Sequence, residues 1–377
     1  MDDLTRELQT TLARWCQTHV EPHMEHDDAD GKFRLEIFQG LGAQGFTGIT
    51  MPEEFGGAGL GFQSYVACLD TLAQSSVAYA VTVSVSSMVQ SILKDYGSAE
   101  QKAKYLPALT SGQEIGAFAL SESHAGSDAA GLKTTAKKTE GGYLLNGTKM
   151  WITSAGVAKT YIVMARTGGE GAKGVSAFIV RDGMAGFSYG KAEKKMGWKA
   201  SPTRELVFEN CFVPAENLLL AEGEGFKVAM GGLDRGRIAI GAIGVGCAQR
   251  ALDEATRYAL GRQQFKQPIF EFQGLQFMLA DMACEVEAAR LLVQEAARLV
   301  DVGQSSVKLS SMAKLKATDT AMKVTTDAVQ IHGGVGYTSE YPVERFMRDA
   351  KVLQIVEGTN QIQRMVIARQ LKKEYAP

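Results

Sequence analysis

One apolar stripe constrains the fold of this 377-residue chain more than any other feature. Its members recur at alternating steps of three and four, the spacing of one face of an α-helix. They are Phe272, Leu275, Leu279, Met282, Val286, Ala289, Val293, Ala296 and Val300. The stripe predicts a continuous helix of roughly thirty residues. Helices of that length and patterning belong in a helical bundle.

The texture of the sequence divides the chain into three segments, as expected for a chain too long for one core. Residues 1–111 alternate helical patterns with glycine loops, and residues 223–377 are strongly helical in period. Residues 112–222 hold short β-branched and aromatic runs, separated by turn signals such as Asn146-Gly147. We therefore predict an α+β multi-domain protein with an N-terminal all-α domain, a middle antiparallel β-barrel or sandwich, and a C-terminal helical bundle. Ligand clefts are expected where the domains join.

Composition narrows the partners and the compartment. A net charge of -2 leaves no basic surplus for nucleic acid. The five cysteines are scattered without CxxC spacing, which indicates free thiols in a reducing compartment, the cytoplasm or an organelle matrix. The acidic, amphipathic N-terminus is typical of neither a secretory signal nor a transit peptide. The apolar segment Ile238–Ala248 is too short and too glycine-rich for a membrane span, so we expect none.

Three glycines, Gly241, Gly244 and Gly246, lie inside a helical pattern. No strand precedes them, and their spacing differs from that of the dinucleotide-binding GxGxxG motif. They are predicted to let neighbouring helices approach closely.

Two polar stretches in the β segment are candidate ligand-binding sites. The stretch ALSESHAGSDAAG, Ala119–Gly131, is rich in glycine and hydroxyl residues, and its exposed amides could hold a pyrophosphate or a heteroaromatic edge. In KMWITSAG, Lys149–Gly156, Trp151 and Thr153 lie two residues apart and face one side of a strand, which suits a flat cofactor ring. The alternatives are an ordinary polar loop and a core tryptophan with an exposed threonine.

A metal site is not predicted. His19, His23 and His26 have a suggestive spacing, but Pro22 interrupts the helix they would need and the segment is strongly hydrophilic. The remaining histidines are not surrounded by a nucleophile elbow, so a Ser-His-Asp triad is unsupported as well.

The carboxylate Glu357 lies in LQIVEGTNQIQR, between two helical patterns. Asn360 and Gln363 resemble a capping box, which predicts a helix beginning near Gln361 after a break at Gly358. Glu357 is then either a carboxylate stabilised by a helix dipole or a general base. As a base, its pKa would be raised by the apolar pair Ile355-Val356 that precedes it. These residues alone leave both interpretations open.

Taken in this order, ALSESHAGSDAAG, KMWITSAG, GRQQF, QIHGGVGY and IVEGTNQIQR resemble the acyl-CoA dehydrogenase family over essentially the whole chain. The resemblance implies a C-terminal domain of four helices, a homotetramer, and an FAD enzyme that oxidises a fatty acyl-CoA to the trans-2-enoyl-CoA. In the family, the residue matching Glu357 removes the α-proton, the hydride goes to flavin N5, and electron-transfer flavoprotein receives the electrons. The compartment would be the bacterial cytoplasm or the mitochondrial matrix.

The same resemblance assigns site residues. Trp151 would pack beside the isoalloxazine and Thr153 would hydrogen-bond near N5, while residues 262–273 and 330–334 would reach the FAD of a neighbouring subunit. The substrate positions are Ser127, Asp234, Arg237 and Gly358. The cofactor positions are Phe118, Leu120, Ser121, Gly126, Ser127, Trp151, Ile152, Thr153, Arg262, Gln264, Phe265, Gln273, Gln330, Gly333, Gly334, Thr359 and Gln361.

Departures from the family pattern bear on the shape of the loop around Ser123 and His124, on the position of the base and on the substrate. Ser123 and His124 replace the Pro and Gly of many relatives, and Val356 replaces a Tyr often found before the base. Some relatives carry the base at the position of Gly236, but a glycine has no side chain that could accept a proton. Ala80–Leu93 lacks the arginine that glutaryl-specific relatives need. We expect a short- to medium-chain acyl-CoA as the substrate. The alternatives to a dehydrogenase are an oxidase that uses O2 and a non-catalytic helical scaffold.

Overall fold

The computed structural model describes residues 2–376, and the chain begins with a helical domain. Side-chain caps mark the start of some of its helices. The Ser76 hydroxyl accepts the Tyr79 amide at the start of the helix Val77–Tyr96, and Ser98 and Gln101 form a reciprocal capping box at the start of the helix Ala99–Thr110. The helices are α1 (Asp3–His19), α2 (Met24–Asp30), α3 (Leu35–Ala43), α4 (Phe62–Ser75), α5 (Val77–Tyr96) and α6 (Ala99–Thr110).

Helix α5 is the core helix of this domain and packs against α4 and α6. Its length and apolar composition match those of a membrane span, but 89% of the relevant window is buried inside the fold. Burial of this kind is what a core helix of a folded domain requires. The expected absence of a membrane span stays a prediction.

The middle domain is one eight-stranded sheet in the order β6-β7-β3-β2-β4-β5-β8, with β1 added beside β4. Most pairs are antiparallel, as predicted. The exceptions are β1 with β4, and a single bridge between β2 and β4, which are parallel. Parallel neighbours need a long connection, and here the chain passes through β2 and β3 before it returns beside β1. The strands are β1 (Gly116–Ala119), β2 (Thr135–Thr139), β3 (Gly142–Thr153), β4 (Thr160–Arg166), β5 (Val175–Arg181), β6 (Phe187–Ala192), β7 (Thr203–Pro214) and β8 (Leu218–Leu219).

The C-terminal domain is the predicted helical bundle. Its long helices are α7 (Gly225–Gly261), α8 (Gln273–Asp301) and α9 (Val307–His332). The shorter α10 (Val343–Leu353) and α11 (Asn360–Tyr375) pack against α9, and a small hairpin of β9 (Gln263–Gln264) and β10 (Gln267–Pro268) connects α7 to α8. The apolar stripe confirms the predicted helix: α8 has 29 residues and buries the central stripe residues from Leu279 to Ala296. The domain divisions after residues 111 and 222 stay predictions. Helices give way to strands between Thr110 and Gly116, and strands give way to helices between Leu219 and Gly225.

The glycines of α7 allow close helix contact, as predicted. A Cβ on Gly241 would lie 3.0 Å from Val293 Cγ2 of α8, and one on Gly244 would lie 3.2 Å from the Ala317 carbonyl oxygen of α9. Both separations are tighter than ordinary side-chain contacts. The missing side chains therefore let α7 occupy the centre of the bundle.

Helix α10 is anchored to both other domains. The carboxylate of Asp349 accepts the backbone amide of Trp198 from the β domain at 2.6 Å, and burial raises the pKa of Asp349 to about 6. Arg348 donates to Asp28 of α2 at 2.7 Å. Because the turn that carries Glu357 follows α10 directly, these contacts fix where that turn lies.

Candidate functional site

The end of β3 presents Trp151 on the protein surface. The pairing of β3 with β7 slips between Lys149 and Ile152, and Trp151 in this bulge has φ +58° and is 53% exposed. Ile152 is only 2% exposed and packs in the core, whereas Thr153 is half-buried. The alternative of a core tryptophan is therefore wrong. Trp151 and Thr153 leave a flat ring and a hydroxyl accessible together, but the Ile152 side chain points away from them.

The glycine- and serine-rich loop lies beside this bulge. The Met150 amide donates to the Ser121 carbonyl at 2.9 Å, which joins the loop to the end of β3. Ser121 is half-buried, Ser127 is exposed, and a Cβ on Gly126 would meet nothing within 4 Å. Phe118 on β1 is half-buried, and Leu120 is buried. Open amides and hydroxyls therefore adjoin an accessible indole ring, and this donor set fits a flat cofactor with a phosphate tail.

Sequence reasoning missed a buried ion pair beneath the same loop. Lys149 Nζ donates to Glu122 Oε1 at 2.7 Å and to the Leu120 carbonyl at 3.0 Å. Glu122 also accepts the amides of Lys133 and Thr134 at 2.6 and 2.9 Å. Burial lowers the pKa of Lys149 to about 8, against the opposite effect of Glu122. Burial alone would raise the pKa of Glu122, but Lys149 and the hydrogen bonds hold it below its usual value. This pair ties both ends of the loop to β3.

The turn between α10 and α11 carries Glu357. Both Glu357 and Gly358 have left-handed backbones, with φ +56° and +86°. The predicted helix begins at Asn360, close to the expected Gln361, but its cap is Thr359, which accepts the Ile362 amide at 3.2 Å. The Gln363 side chain reaches back, as a capping box would require, but it donates to the carbonyls of Glu357 and Gly358 at 3.1 and 2.8 Å.

The Glu357 carboxylate points into the protein. Its Oε2 atom is buried and has no hydrogen-bond partner in the described part of the chain. A Cβ on Gly236 of α7 would overlap this oxygen and would lie 2.9 Å from Glu357 Cδ and 2.7 Å from Met88 Cε of α5. Burial raises the pKa of Glu357 to about 7, although Arg237 and Lys314 act in the opposite direction.

The apolar neighbours predicted to shield Glu357 do not all do so. Ile355 is 53% exposed, and only Val356 packs against the core. The shielding comes from α5 and α7, which approach from other parts of the chain. The first turn of α11 is capped by Thr359 rather than by Glu357, which weakens the helix-dipole interpretation.

A cleft of about 550 Å³ is lined by two of the expected substrate residues, Asp234 and Arg237, whereas Ser127 and Gly358 lie outside its lining. Arg237 donates to Asp234 at 2.6 Å, and Arg237 is buried with its Nε unpartnered among residues 2–376. Burial raises the pKa of Asp234, against the effect of Arg237. Basic residues of α11 complete the wall, namely Arg369, Lys372 and Lys373.

The remaining expected cofactor positions are exposed at one end of the bundle. The β9–β10 hairpin, with Phe265 88% exposed, lies near the end of α9, where His332 stacks on Tyr258 with ring centroids 4.2 Å apart. No hydrogen bond or ion pair among residues 2–376 joins this end to the Trp151 region. In α11, Thr359 is half-buried as the cap and Gln361 is exposed. The exposed positions at the bundle end are Arg262, Gln264, Phe265, Gln273, Gln330, Gly333 and Gly334.

The histidines give no sign of a metal centre. Over residues 2–376, no group of three or more His, Cys, Asp or Glu side chains is arranged to hold a metal ion.

Comparison with known proteins assigns all three domains to one family. Residues 2–113, 117–211 and 223–372 match the N-terminal, middle and C-terminal domains of acyl-CoA dehydrogenases. An acyl-CoA dehydrogenase of Bacillus subtilis (strain 168) is 47% identical over 366 residues, which are 97% of each chain. The butyryl-CoA dehydrogenase of Megasphaera elsdenii superposes with a TM-score of 0.97 at 42% identity, covering 98% of each chain. A chain in a structure described as the electron transferring flavoprotein of Acidaminococcus fermentans superposes with a TM-score of 0.97 at 44% identity, covering 98% of each chain.

Proposed function

Since this chain belongs to the acyl-CoA dehydrogenase family and is an FAD-dependent oxidoreductase, we propose that it converts a short- to medium-chain acyl-CoA to the trans-2-enoyl-CoA with Glu357 as the base. The observation that carries this proposal is the buried, unpartnered Oε2 of Glu357, whose pKa burial raises to about 7. The similarity to proteins named as dehydrogenases argues against the non-catalytic scaffold.

The proposed base has the properties that α-proton removal requires. The α-proton of a thioester is weakly acidic, so a base works best when water is excluded and its pKa lies near the working pH. An oxygen without a hydrogen-bond donor keeps its lone pairs available for a proton. Removal of that proton leaves Glu357 neutral, which is the form that its buried position favours.

The FAD is proposed to bind across the Trp151 bulge and the loop after β1. Trp151 offers a ring face, Thr153 and Ser121 offer hydroxyls, and the amides around Gly126 and Ser127 offer donors to phosphate. When bound, FAD accepts the hydride from the β-carbon. The exposed bundle end, with Phe265 and Tyr337 accessible at 88% and 87%, is proposed to contact the FAD of a neighbouring subunit. Large exposed apolar side chains of this kind mark an interface, in accord with a homotetramer.

The acyl-CoA is proposed to enter through the cleft beside Asp234 and Arg237. The cleft carries several cations, which suits the phosphates of coenzyme A. Gly358 and Ser127 are the further proposed substrate contacts. A short acyl chain is supported by the similarity to a butyryl-CoA dehydrogenase. The absence of arginine in Ala80–Leu93 disfavours a dicarboxylate substrate.

The electron acceptor is proposed to be electron-transfer flavoprotein. Support comes from the similarity to the chain in the Acidaminococcus fermentans structure. The five free cysteines suit a reducing compartment, the bacterial cytoplasm or the mitochondrial matrix.

Anaerobic stopped-flow measurement of flavin bleaching tests the proposal. The variant Glu357→Gln should stay yellow and bind acyl-CoA but reduce its flavin about 100- to 10,000-fold more slowly, because general-base catalysis contributes that much. Glu340→Gln, an exposed change in the same domain, is the control and should keep the normal rate. Near-normal bleaching in Glu357→Gln would refute the assignment of the base. Rapid reoxidation in air with peroxide release would instead identify an oxidase.

A further inference from the structure

Lys314 is a buried cation for which the proposed reaction has no assigned role. It lies on α9 and is 0% exposed. Its Nζ atom donates to the Gly358 carbonyl at 3.1 Å and to Asn360 Oδ1 at 2.7 Å, and it forms no ion pair with any carboxylate of the described residues. A buried ammonium group without a paired carboxylate is costly, so its position needs an explanation.

Lys314 holds the backbone turn on which Glu357 stands. A non-glycine residue in the left-handed region is strained, and it persists only where the surroundings fix it. Gln363 donates to the carbonyls of Glu357 and Gly358 on one side, and Lys314 donates to the Gly358 carbonyl on the other. The strained turn is therefore held by hydrogen bonds from two helices, α9 and α11.

Asn360 links the ammonium group to the start of α11. Its Oδ1 accepts from Lys314, and its Nδ2 donates to Asp319 Oδ1 at 2.6 Å. Asp319 also accepts from Gln354 at 2.7 Å and from Arg364 at 2.9 Å. These contacts connect α9 to both ends of the turn.

The charge of Lys314 also acts on the Glu357 carboxylate. Burial lowers the pKa of Lys314 to about 7, while Glu357 and Asp319 oppose that change and Arg237 adds to it. Lys314 and Arg237 both favour the ionised form of Glu357. The titratable groups around this pair are Tyr65 on α4, Asp234 and Arg237 on α7, Asp319 on α9 and Arg364 on α11.

We propose that Lys314 is a positioning residue, which holds the Glu357 turn through the Gly358 carbonyl and stabilises the ionised carboxylate that accepts the substrate proton. This inference rests on the proposed role of Glu357 as the base. It assigns two separable functions to one side chain: the hydrogen bonds fix the turn, and the charge sets the pH range in which the base works.

Three substitutions separate the two functions. Lys314→Met removes both the hydrogen bonds and the charge. Lys314→Gln keeps an N–H donor without the charge, and Lys314→Arg keeps the charge. Lys323→Met is the matched control, since Lys323 is a largely exposed lysine of the same helix, paired with Asp327 at 2.8 Å.

The first measurement is hydrogen exchange of residues 354–362 by mass spectrometry, which does not depend on activity. Exchange should be faster in Lys314→Met and close to normal in Lys314→Gln and in the control. Should Lys314→Met exchange at the normal rate in this segment, the turn-holding function is refuted. If Lys314→Met does not fold, Lys314→Gln still tests the charge function in the second measurement.

The second measurement isolates proton removal from hydride transfer. In a 3-thia-acyl-CoA, sulfur replaces the β-carbon, so no β-hydride is available and only exchange of α-deuterons with solvent is observed. The acidic limb of the exchange rate should move to higher pH by about 1 unit in Lys314→Met and Lys314→Gln, because a neighbouring cation lowers a carboxyl pKa and 1 unit is the lower end of that effect. In Lys314→Arg and Lys323→Met, the exchange rate should fall at the same acidic pH as in the unchanged protein.

The outcomes distinguish this inference from the proposed function. If Glu357→Gln still exchanges the α-deuterons at the normal rate, then Glu357 is not the base and the proposed function fails. If Glu357→Gln stops exchange but both neutral Lys314 variants keep the normal limb, then only the charge function of Lys314 is refuted. A rate lowered equally at every pH, without faster hydrogen exchange in residues 354–362, would show a purely structural lysine and overturn the inference.

Discussion

The substitution Gly236→Ala places a methyl group against the proposed base. Its Cβ would lie 2.9 Å from Glu357 Cδ and 2.7 Å from Met88 Cε, whereas ordinary contact begins near 3.4 Å. The end of the Met88 side chain is flexible and can move, but the carboxylate is confined, so we expect it to retreat by on the order of 0.5 to 1 Å. Displacement of a reacting group by that distance costs on the order of 100-fold in rate.

The stability change in Gly236→Ala should be much smaller than the rate change. Alanine gains about 1 kcal/mol over glycine inside a helix, while overpacking costs about 1 to 3 kcal/mol, so the net destabilisation should stay below about 2 kcal/mol. Gly274→Ala is the control, because a Cβ there meets nothing within 4 Å. The assays are anaerobic flavin bleaching with acyl-CoA and thermal unfolding. Bleaching at the normal rate in folded Gly236→Ala would refute the placement of the Glu357 carboxylate against α7.

Two further predictions concern buried charges. Burial raises the pKa of Glu357 from 4.5 to about 7, so its contribution to stability is present below pH 4.5 and is lost as the pH rises through 7. The free energy of unfolding of Glu357→Gln should therefore exceed that of the unchanged protein at pH 8 by on the order of 1 to 3 kcal/mol, with the difference vanishing near pH 4.5; an equal difference at both pH values would contradict this. Lys149→Met leaves Glu122 buried without its cation and should cost about 3 to 5 kcal/mol in urea unfolding and weaken flavin retention. Recovery of most of that stability by the added change Glu122→Leu would show that the unpaired carboxylate is the cause, and a loss below about 1 kcal/mol in Lys149→Met would refute the pairing.

The elements that depend on local pattern were predictable from the sequence. The stripe in α8 recurs through nearly thirty residues, so it determines helix type and buried face without knowledge of any partner. The glycines of α7 were also correctly interpreted, because their spacing and the missing strand excluded a nucleotide loop. The parallel pairing of β1 with β4 was not predictable, because β2 and β3 separate these two strands along the chain.

The environment of Glu357 was only partly predictable. Its position on a turn between helices followed from Gly358 and the capping pattern, but the shielding expected from Ile355 comes instead from Met88 and Gly236. Contacts between distant segments leave no local signal. One signal was available for Lys314, which lies among the buried residues of α9; apart from His332 at the end of the helix, the others are small or apolar. A lysine at such a position is rarely buried without a specific partner.

The contact between positions 236 and 357 explains why a base can stand at only one of them. Any side chain at 236 begins with a Cβ that overlaps the Glu357 carboxylate, so the carboxylate can hold its present position only beside a glycine. A carboxylate on α7 would occupy the same space and would require a smaller residue at 357 to make room for it. The two placements of the base that the family resemblance implies are therefore mutually exclusive, and in this chain Gly236 makes room for Glu357. Because the turn carrying Glu357 is strained, its position depends on Lys314 and Gln363, whereas a base on α7 would be held by the helix itself.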